Sequence, residues 1–254
     1  MMKTLLILLL FITTIPAQQY KKEKQTLVDF RTSDVRPTPK ITKATERAVL
    51  SKVFRKYLRD AQRCNQDIDT SSAADPLTAA RNAGQIVPSI SDVATGSFTA
   101  AGQTQIAYVI SVSECNASHA DNFGTKRVAI FSGQQLIADF DNDFGNGIVL
   151  MTDLNSDGIN ELLMTTGDMS QGTLTETAAL VSFQNARRNV IKDFGTVVED
   201  SCASGFASSS SKAAVISISN VIPGEMPKLI QDNYEASCRG TKRWKFLSTG
   251  RIPE

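Results

Sequence analysis

The chain has 254 residues, of which 27 are Lys or Arg and 26 are Asp or Glu, so its formal net charge is +1. This near-neutral balance argues against a nucleic-acid partner or an anionic membrane held by bulk positive charge. The length suits one domain, or one domain with an appendage.

The first 17 residues have the pattern of a secretory signal peptide. Lys3 precedes an apolar run from Leu5 to Ile12, and a short stretch of small residues ends at Ala17. The run is shorter than the roughly 20 apolar residues that a membrane-spanning helix needs. We therefore expect a secreted or periplasmic protein without a membrane span, cleaved after Ala17.

A polar, extended segment, residues 18–41, leads to the first predicted element. Over residues 42–64 apolar side chains recur on one face of a helix, with Thr42 as a suitable N-cap. We expect an N-terminal amphipathic helix that packs on the rest of the fold; docking of a partner protein is the alternative. Residues 65–90 read as a polar connector. The apolar stripe consists of Val49, Leu50, Val53, Phe54, Tyr57, Leu58 and Ala61.

Beyond residue 90 the apolar runs become short and alternate with turn clusters. This spacing is typical of an antiparallel, mainly β architecture. The runs are residues 105–110, 128–131, 161–164, 179–183, 214–218 and 244–247.

Two overlays indicate internal repeats within residues 91–254. Residues 96–111 lie on 152–167 with matching glycines and apolar exits. The tetrapeptide GTKR occurs in 124–132 and again in 240–248, at about twice the first spacing. A repeat of roughly 55–60 residues explains both overlays.

The repeat length predicts three antiparallel units, near residues 91–146, 147–200 and 201–254. Each small sheet cannot bury its faces alone and is expected to stack on its neighbours. A closed propeller takes about 4–8 four-stranded blades, so three units fall short. We expect an open or partial propeller capped by the helix, or closure through a homo-oligomer.

Four cysteines in an exported chain predict two disulfides with three connectivities. Cys115 and Cys238 each shortly precede a GTKR segment. That placement favours Cys64–Cys115 and Cys202–Cys238, and the other pairings stay open.

The stretch TDLNSDGINELLMTTG, residues 152–167, has the spacing of a calcium loop. Asp153, Asn155 and Asp157 alternate before a glycine, followed by the backbone carbonyl of Ile159 and the carboxylate of Glu161. Calcium prefers six to eight hard oxygen ligands in flexible geometry, and alternating side chains on a tight loop converge on one point. We expect these five residues to hold a structural Ca²⁺.

Two other structures could account for a polar loop at this position. An EF-hand requires a bidentate glutamate at its twelfth position, where this chain has Met164 inside an apolar strand, so the EF-hand is excluded. A polar turn whose Asp and Asn side chains bond the backbone needs no metal. The copy at 96–111 has Ser97, Thr99, Ala101 and Gln105 in the ligand positions, and we expect it to bind none.

Residues 153–163, DLNSDGINELL, resemble the calcium loop of the FG-GAP/VCBS repeat family. In that family the loop joins two strands of a propeller-like blade, and many members are secreted. The resemblance implies a non-enzymatic protein that binds a protein or glycan ligand. It covers one repeat well, and Asn220 to Leu229 keeps only a glycine and an apolar exit.

A second acidic run, residues 139–143, alternates similarly, but Phe144 follows where a calcium loop needs glycine. We interpret it as a strand with one solvated acidic face, with a weak second ion site as the alternative.

Catalytic motifs are scarce in this sequence. His119 is the sole histidine and lies in a polar stretch, where a solvated loop residue is the default interpretation. The rival to a binding module is a secreted hydrolase that uses scattered carboxylates on a β-scaffold. Two nearby carboxyls with raised pKa values in one cleft would favour that rival.

Overall fold

A computed structural model gives the fold of this chain between residues 23 and 252, with gaps. The described residues are 23–32, 36–37, 39–54, 86–114, 125–142, 145, 147–204, 209–239 and 242–252. The predicted signal peptide (1–17), the second half of the predicted helix (55–64), Cys64, Cys115 and His119 lie outside these ranges.

Helix α1 spans Lys43–Phe54, and the remaining regular structure of the described residues is almost entirely strand. Every strand pair in these ranges is antiparallel, which confirms the predicted mainly β class. The strands are β1 (Gln25–Asp29), β2 (Ile86–Gly96), β3 (Gln105–Glu114), β4 (Thr125–Ser132), β5 (Gln135–Asn142), β6 (Gly147–Thr152), β7 (Glu161–Ser170), β8 (Thr173–Ser182), β9 (Asn189–Asp200), β10 (Ser210–Ser219), β11 (Lys228–Ser237) and β12 (Lys245–Thr249).

The strands fall into three groups that agree with the predicted units. Strands β2–β5 form a separate four-stranded sheet in chain order. Strands β6–β9 occupy Gly147–Asp200, the range predicted for the second unit, and β10–β12 make up the third. A short ladder between β9 and β10 joins the last two groups into one eight-stranded sheet, which also includes β1.

The eight-stranded sheet curls because two strands share one edge of β10. Strand β9 pairs with residues 211–213 of β10, and β1 pairs with residues 215–218. Strand β11 covers the opposite edge along its whole length. Since β1 also approaches β6 at the far end of the sheet, the sheet bends into a half-barrel. The result is an open, propeller-like arrangement within one chain, and closure through a homo-oligomer stays a prediction.

Alternating side chains bury both faces of the first sheet and of the second group of strands. In β3, Ile110 packs towards α1, whereas Val109 packs towards the second unit. In β7, Leu162 faces the first sheet, whereas Leu163 faces β1 and β10. Strands that are buried on both faces have continuous runs of apolar residues, and for this reason the apolar runs of the sequence predicted these strands.

Helix α1 covers the outer face of the first sheet. Thr42 caps the helix, because its hydroxyl accepts a hydrogen bond from the Thr45 amide at 3.1 Å. Val49, Leu50 and Phe54 are buried against this sheet, so the described part of the predicted stripe is core.

A buried carboxylate joins the first sheet to the second unit. Asp92, 4 % exposed, stands at a bulge in β2. Its carboxylate accepts the Ile148 amide of β6 at 2.7 Å and binds the Arg36 guanidinium at 2.6 Å. Because a buried charge needs such partners, this contact fixes β2 beside β6.

Two sequence expectations require correction. Residues 18–41 are not simply an extended lead-in, because they contain β1, which completes the third group. The predicted connector, 65–90, ends too late, because β2 begins at Ile86. Neither strand shows a long alternation of apolar and polar residues, so the local sequence pattern did not predict β1 or the start of β2.

The disulfide Cys202–Cys238 is present, as one of the predicted pairings required. It links the start of the third group to the end of β11. The predicted partner pair lies outside the described residues. No helix in the described ranges is long and apolar enough to cross a membrane.

Candidate functional site

The predicted calcium loop connects β6 to β7 at one end of the second unit. Leu154 and Ile159 are buried and anchor the loop to the cores, while Ser156, Asp157 and Gly158 are exposed. Gly158 has φ +82°, a left-handed conformation that glycine adopts without steric cost. The loop is therefore pinned at its apolar positions and turns sharply at its glycine.

The polar side chains of the loop point inwards to its own backbone. The two oxygens of Asp153 accept hydrogen bonds from the amides of Asp157 (3.1 Å) and Gly158 (2.9 Å). Asp157 accepts one from the Ile159 amide at 2.8 Å, and Asn155 donates one to Asp157 at 3.0 Å. The four predicted ligands from Asp153 to Ile159 thus lie on one compact turn.

Glu161 lies beneath this turn and is 2 % exposed. One of its oxygens accepts the Leu154 amide at 3.0 Å. Burial raises the pKa of Glu161, and the carboxylates of Asp157 and Asp153 raise it further, against the opposing effect of the Leu154 amide. In the described part of the chain, no Lys or Arg forms an ion pair with any of these three carboxylates.

The β2–β3 loop, residues 97–104, has the same frame with different chemistry. Gly102 has φ +70°, and Gln105 is 3 % exposed in the position of Glu161. The side-chain oxygen Oε1 of Gln105 accepts hydrogen bonds from the backbone amides of Phe98 (2.9 Å) and Thr99 (2.8 Å). Its amide group donates to the Thr99 hydroxyl at 2.6 Å. A neutral side chain closes this loop by itself, and the absence of an ion from this copy stays a prediction.

The loops of the three units are in contact. The Asn160 amide donates to the Ser97 carbonyl at 2.6 Å, and the Ser97 amide donates to the Asn160 side chain at 2.8 Å. On the other side, the Gly224 amide of the β10–β11 connector donates to the Asn155 carbonyl at 2.6 Å. The candidate calcium loop is the middle member of this row, so its conformation affects both neighbours.

The donor set of the loop fits calcium chemically. Three carboxylates, one amide oxygen and one backbone carbonyl are the hard oxygen ligands that calcium prefers. The same oxygens accept amide hydrogen bonds, as they would in a metal-free polar turn. Bringing all of them to one ion requires rotations of these side chains, because the three carboxylates do not lie within 4.8 Å of one another.

One other group of potential ligands occurs within the described ranges. Asp200, Cys202 and Cys238 have ligand atoms within 4.8 Å of one another, whereas the three loop carboxylates do not form such a group. Both sulfurs of that group are joined in the disulfide, so neither is available as a thiolate ligand.

The second acidic run is a strand as far as Asn142. The Arg127 guanidinium binds both oxygens of Asp139, at 3.0 and 2.7 Å, and one of Asp141 at 2.7 Å. Phe140 points to the other face and packs on Phe183, with ring centroids 5.3 Å apart. The described part of this run agrees with a strand that has one acidic face.

A cavity of about 420 Å³ lies in the half-barrel and is lined by three carboxyl groups. Burial raises the pKa of Glu176. A hydrogen bond from Arg31 lowers the pKa of Asp29. Burial opposes the lowering of the Asp200 pKa, but Lys242 and the Cys202 amide outweigh it. Among the three described carboxyl groups of this cavity, only Glu176 has a raised pKa. The hydrolase alternative requires two such groups.

No protein-family model, curated protein or solved structure matches this chain.

Proposed function

We propose that this chain is an exported, non-enzymatic binding protein of FG-GAP/VCBS-like architecture, with a structural calcium ion in the 153–161 loop. The ion would be held by Asp153, Asn155, Asp157, the carbonyl of Ile159 and Glu161. Its chemistry is charge neutralisation and cross-linking of the loop, without a reaction step.

One comparison within the molecule carries the calcium proposal. Gln105 and Glu161 occupy equivalent buried positions and accept equivalent backbone amides. The amide group of Gln105 then donates to Thr99, whereas an ionised Glu161 has no proton to donate to Asn155. A divalent cation between Glu161 and the turn would replace that missing link.

Electrostatics support the same conclusion. A buried carboxylate beneath two further carboxylates is costly without a compensating positive charge. The loop contains none among the described residues, and bound calcium would supply two positive charges. The metal-free turn accounts for the amide hydrogen bonds but not for placing an acid, rather than a glutamine, at position 161.

The binding role follows from the resemblance and from the placement of the loop. The ion would lie between two other loops, where no described Lys or Arg pairs with the loop carboxylates, and its ligands come from one loop. This arrangement suits a stabilising ion rather than a substrate-activating one. The ligand class implied by the resemblance is a protein or glycan surface.

Calorimetric titration of the mature chain with calcium tests the proposal directly. We expect saturable binding by the native protein and none by Asp157→Ala, because that change removes a central ligand. Asp168→Asn, an exposed acid on β7, is the matched control and should bind as the native protein does. Absence of heat change with native protein would refute the calcium site.

The hydrolase alternative is tested separately. We expect the native protein not to hydrolyse any member of a panel of glycoside, ester and peptide substrates. Hydrolysis that the Glu176→Gln variant abolishes would favour the hydrolase. A binding module instead predicts capture of a glycan or protein ligand on an array, reduced by EGTA.

A further inference from the structure

The half-barrel cavity opens where β9 and β1 part along the edge of β10. Its floor is formed by side chains on one face of β8, β9 and β10. The register places Leu174 opposite Asp200 and Glu176 opposite Val198. The end of β1 forms one wall, and the segment before β12, with Trp244, forms another. Its volume falls within the range of small-ligand sites.

The charges around this cavity do not balance. Arg31 binds both oxygens of Asp29, at 2.9 and 2.7 Å. Lys242 lies 2.8 Å from Asp200. Glu176 has neither a hydrogen bond nor an ion pair with the described residues. Both cations of the cavity are thus already engaged, and one carboxylate is left without a partner.

The neighbours of Glu176 on β8 and β9 are apolar. Its neighbours on the same face of β8 are Leu174 and Ala178, and Val198 lies directly opposite in β9. Such surroundings disfavour the charged form, which agrees with the raised pKa of Glu176. A structural role does not require an acid here, because Thr or Val would fit the strand pattern equally well.

We propose that this cavity binds an ammonium group on an alkyl stem, with the ammonium on Glu176 and the stem against Trp244 and the apolar floor. A charge-assisted hydrogen bond to a half-buried carboxylate such as Glu176 is stronger than one between neutral groups. Alkyl stems of cations pack on apolar surface while the charged end finds an acid, and aromatic faces attract cations. A neutral sugar would leave the carboxylate uncompensated.

This inference deepens the proposed binding role and rests on it. The same chemistry occurs in a lysine side chain on a partner protein and in a free polyamine. Nα-acetyl-lysine methylamide and spermidine serve as probes for these two sources. The norleucine analogue of the first probe has the alkyl stem without the charge.

Trp244 makes the measurement direct, because it is the sole tryptophan of the chain and lines the cavity. We expect saturable changes in its fluorescence with one or both amines and none with the norleucine analogue. The amine that binds more tightly identifies the source. Equal binding of the norleucine analogue, or no saturable change with either amine, would overturn the proposal.

Two variants separate recognition from folding. Glu176→Gln should weaken amine binding by about tenfold or more, because it removes the charged acceptor. Asp168→Asn should leave binding unchanged, since its pairing with Thr175 places it on the opposite face of the hairpin. Circular dichroism checks that both variants fold. Undiminished amine binding by a folded Glu176→Gln variant would also overturn the proposal.

The titrations are run in calcium and in EGTA. If calcium addition produced no response while the amine still bound, the calcium site alone would be refuted. A calcium response without amine binding would refute the cavity proposal alone.

Discussion

Replacing Glu161 by glutamine should reverse the order of stability between calcium-free and calcium-loaded protein. Without calcium, Glu161→Gln removes a buried carboxylate whose pKa is raised by burial and by two acidic neighbours. The new amide can donate to Asn155, as Gln105 donates to Thr99. One such hydrogen bond stabilises by about 1 kcal/mol, so the variant should be more stable than the native protein in EGTA by roughly that amount.

Calcium should invert this order. Extracellular calcium modules have Kd values of roughly 10⁻⁴–10⁻³ M. At about 10 mM calcium, the native protein would then gain about 1.4–2.7 kcal/mol by mass action. The variant lacks a ligand and should gain little, so the native protein becomes the more stable of the two.

Equilibrium urea unfolding in EGTA and in calcium measures both differences. Gln105→Glu is the reciprocal control. It places a carboxylate in the copy that lacks acidic ligands, and it should destabilise equally in both conditions. A Glu161→Gln variant that is less stable than native protein in EGTA would refute the reasoning about the buried acid. Parallel losses in both conditions would refute the calcium link.

Three further predictions concern stability. Asp92→Ala should cost about 2–4 kcal/mol in urea unfolding, because it leaves a buried amide and an arginine without their acceptor, whereas Asp141→Ala on the surface should cost less than about 1 kcal/mol. A similar loss for both would contradict the role of Asp92 in joining the sheets. Replacing Cys202 and Cys238 by serine should lower the free energy of unfolding in urea by about 3–4 kcal/mol relative to the oxidised native protein, for a separation of 36 residues. Glu176→Gln should remove a pH dependence: native Glu176 keeps its proton to higher pH than its ordinary value of 4.5, so native stability falls as pH rises through the raised pKa. The difference between the urea midpoints at pH 5 and pH 7 should therefore be smaller in the variant than in the native protein. An equal difference in both proteins would contradict this.

The predictable parts of the fold are those whose side-chain pattern is dictated locally. Thr42 and the apolar stripe behind it defined a helix start, because a cap and a 3.6-residue period are local features. The loop at 153–161 was placed between two strands because the apolar run after Glu161 follows its turn residues directly. The overlay of 96–111 on 152–167 was informative because both loops join the first and second strands of their units.

The missed strands share a physical cause. Strand β9, NVIKDFGTVVED, is half-exposed and contains irregularities in its pairing with β8, which break the alternation of apolar and polar residues. Strand β1 is short and is defined by a partner far along the chain. Glu176 was missed for a related reason: an acid among threonines and alanines looks solvent-exposed until the curl of the sheet encloses it. Such features depend on long-range contacts, which a local pattern does not contain.

The position of β1 has a consequence for how the protein is made. Lys24 beside β1 pairs with Asp232 in β11, 208 residues later in the chain. Strand β1 must therefore wait unpaired until β10 and β11 have emerged. Contacts this distant slow folding, because loop closure is costly before any contact compensates for it. Once β10 has emerged, part of its edge stays open until β1 pairs with it, so in that interval the chain is exposed to aggregation and to strand exchange with another copy.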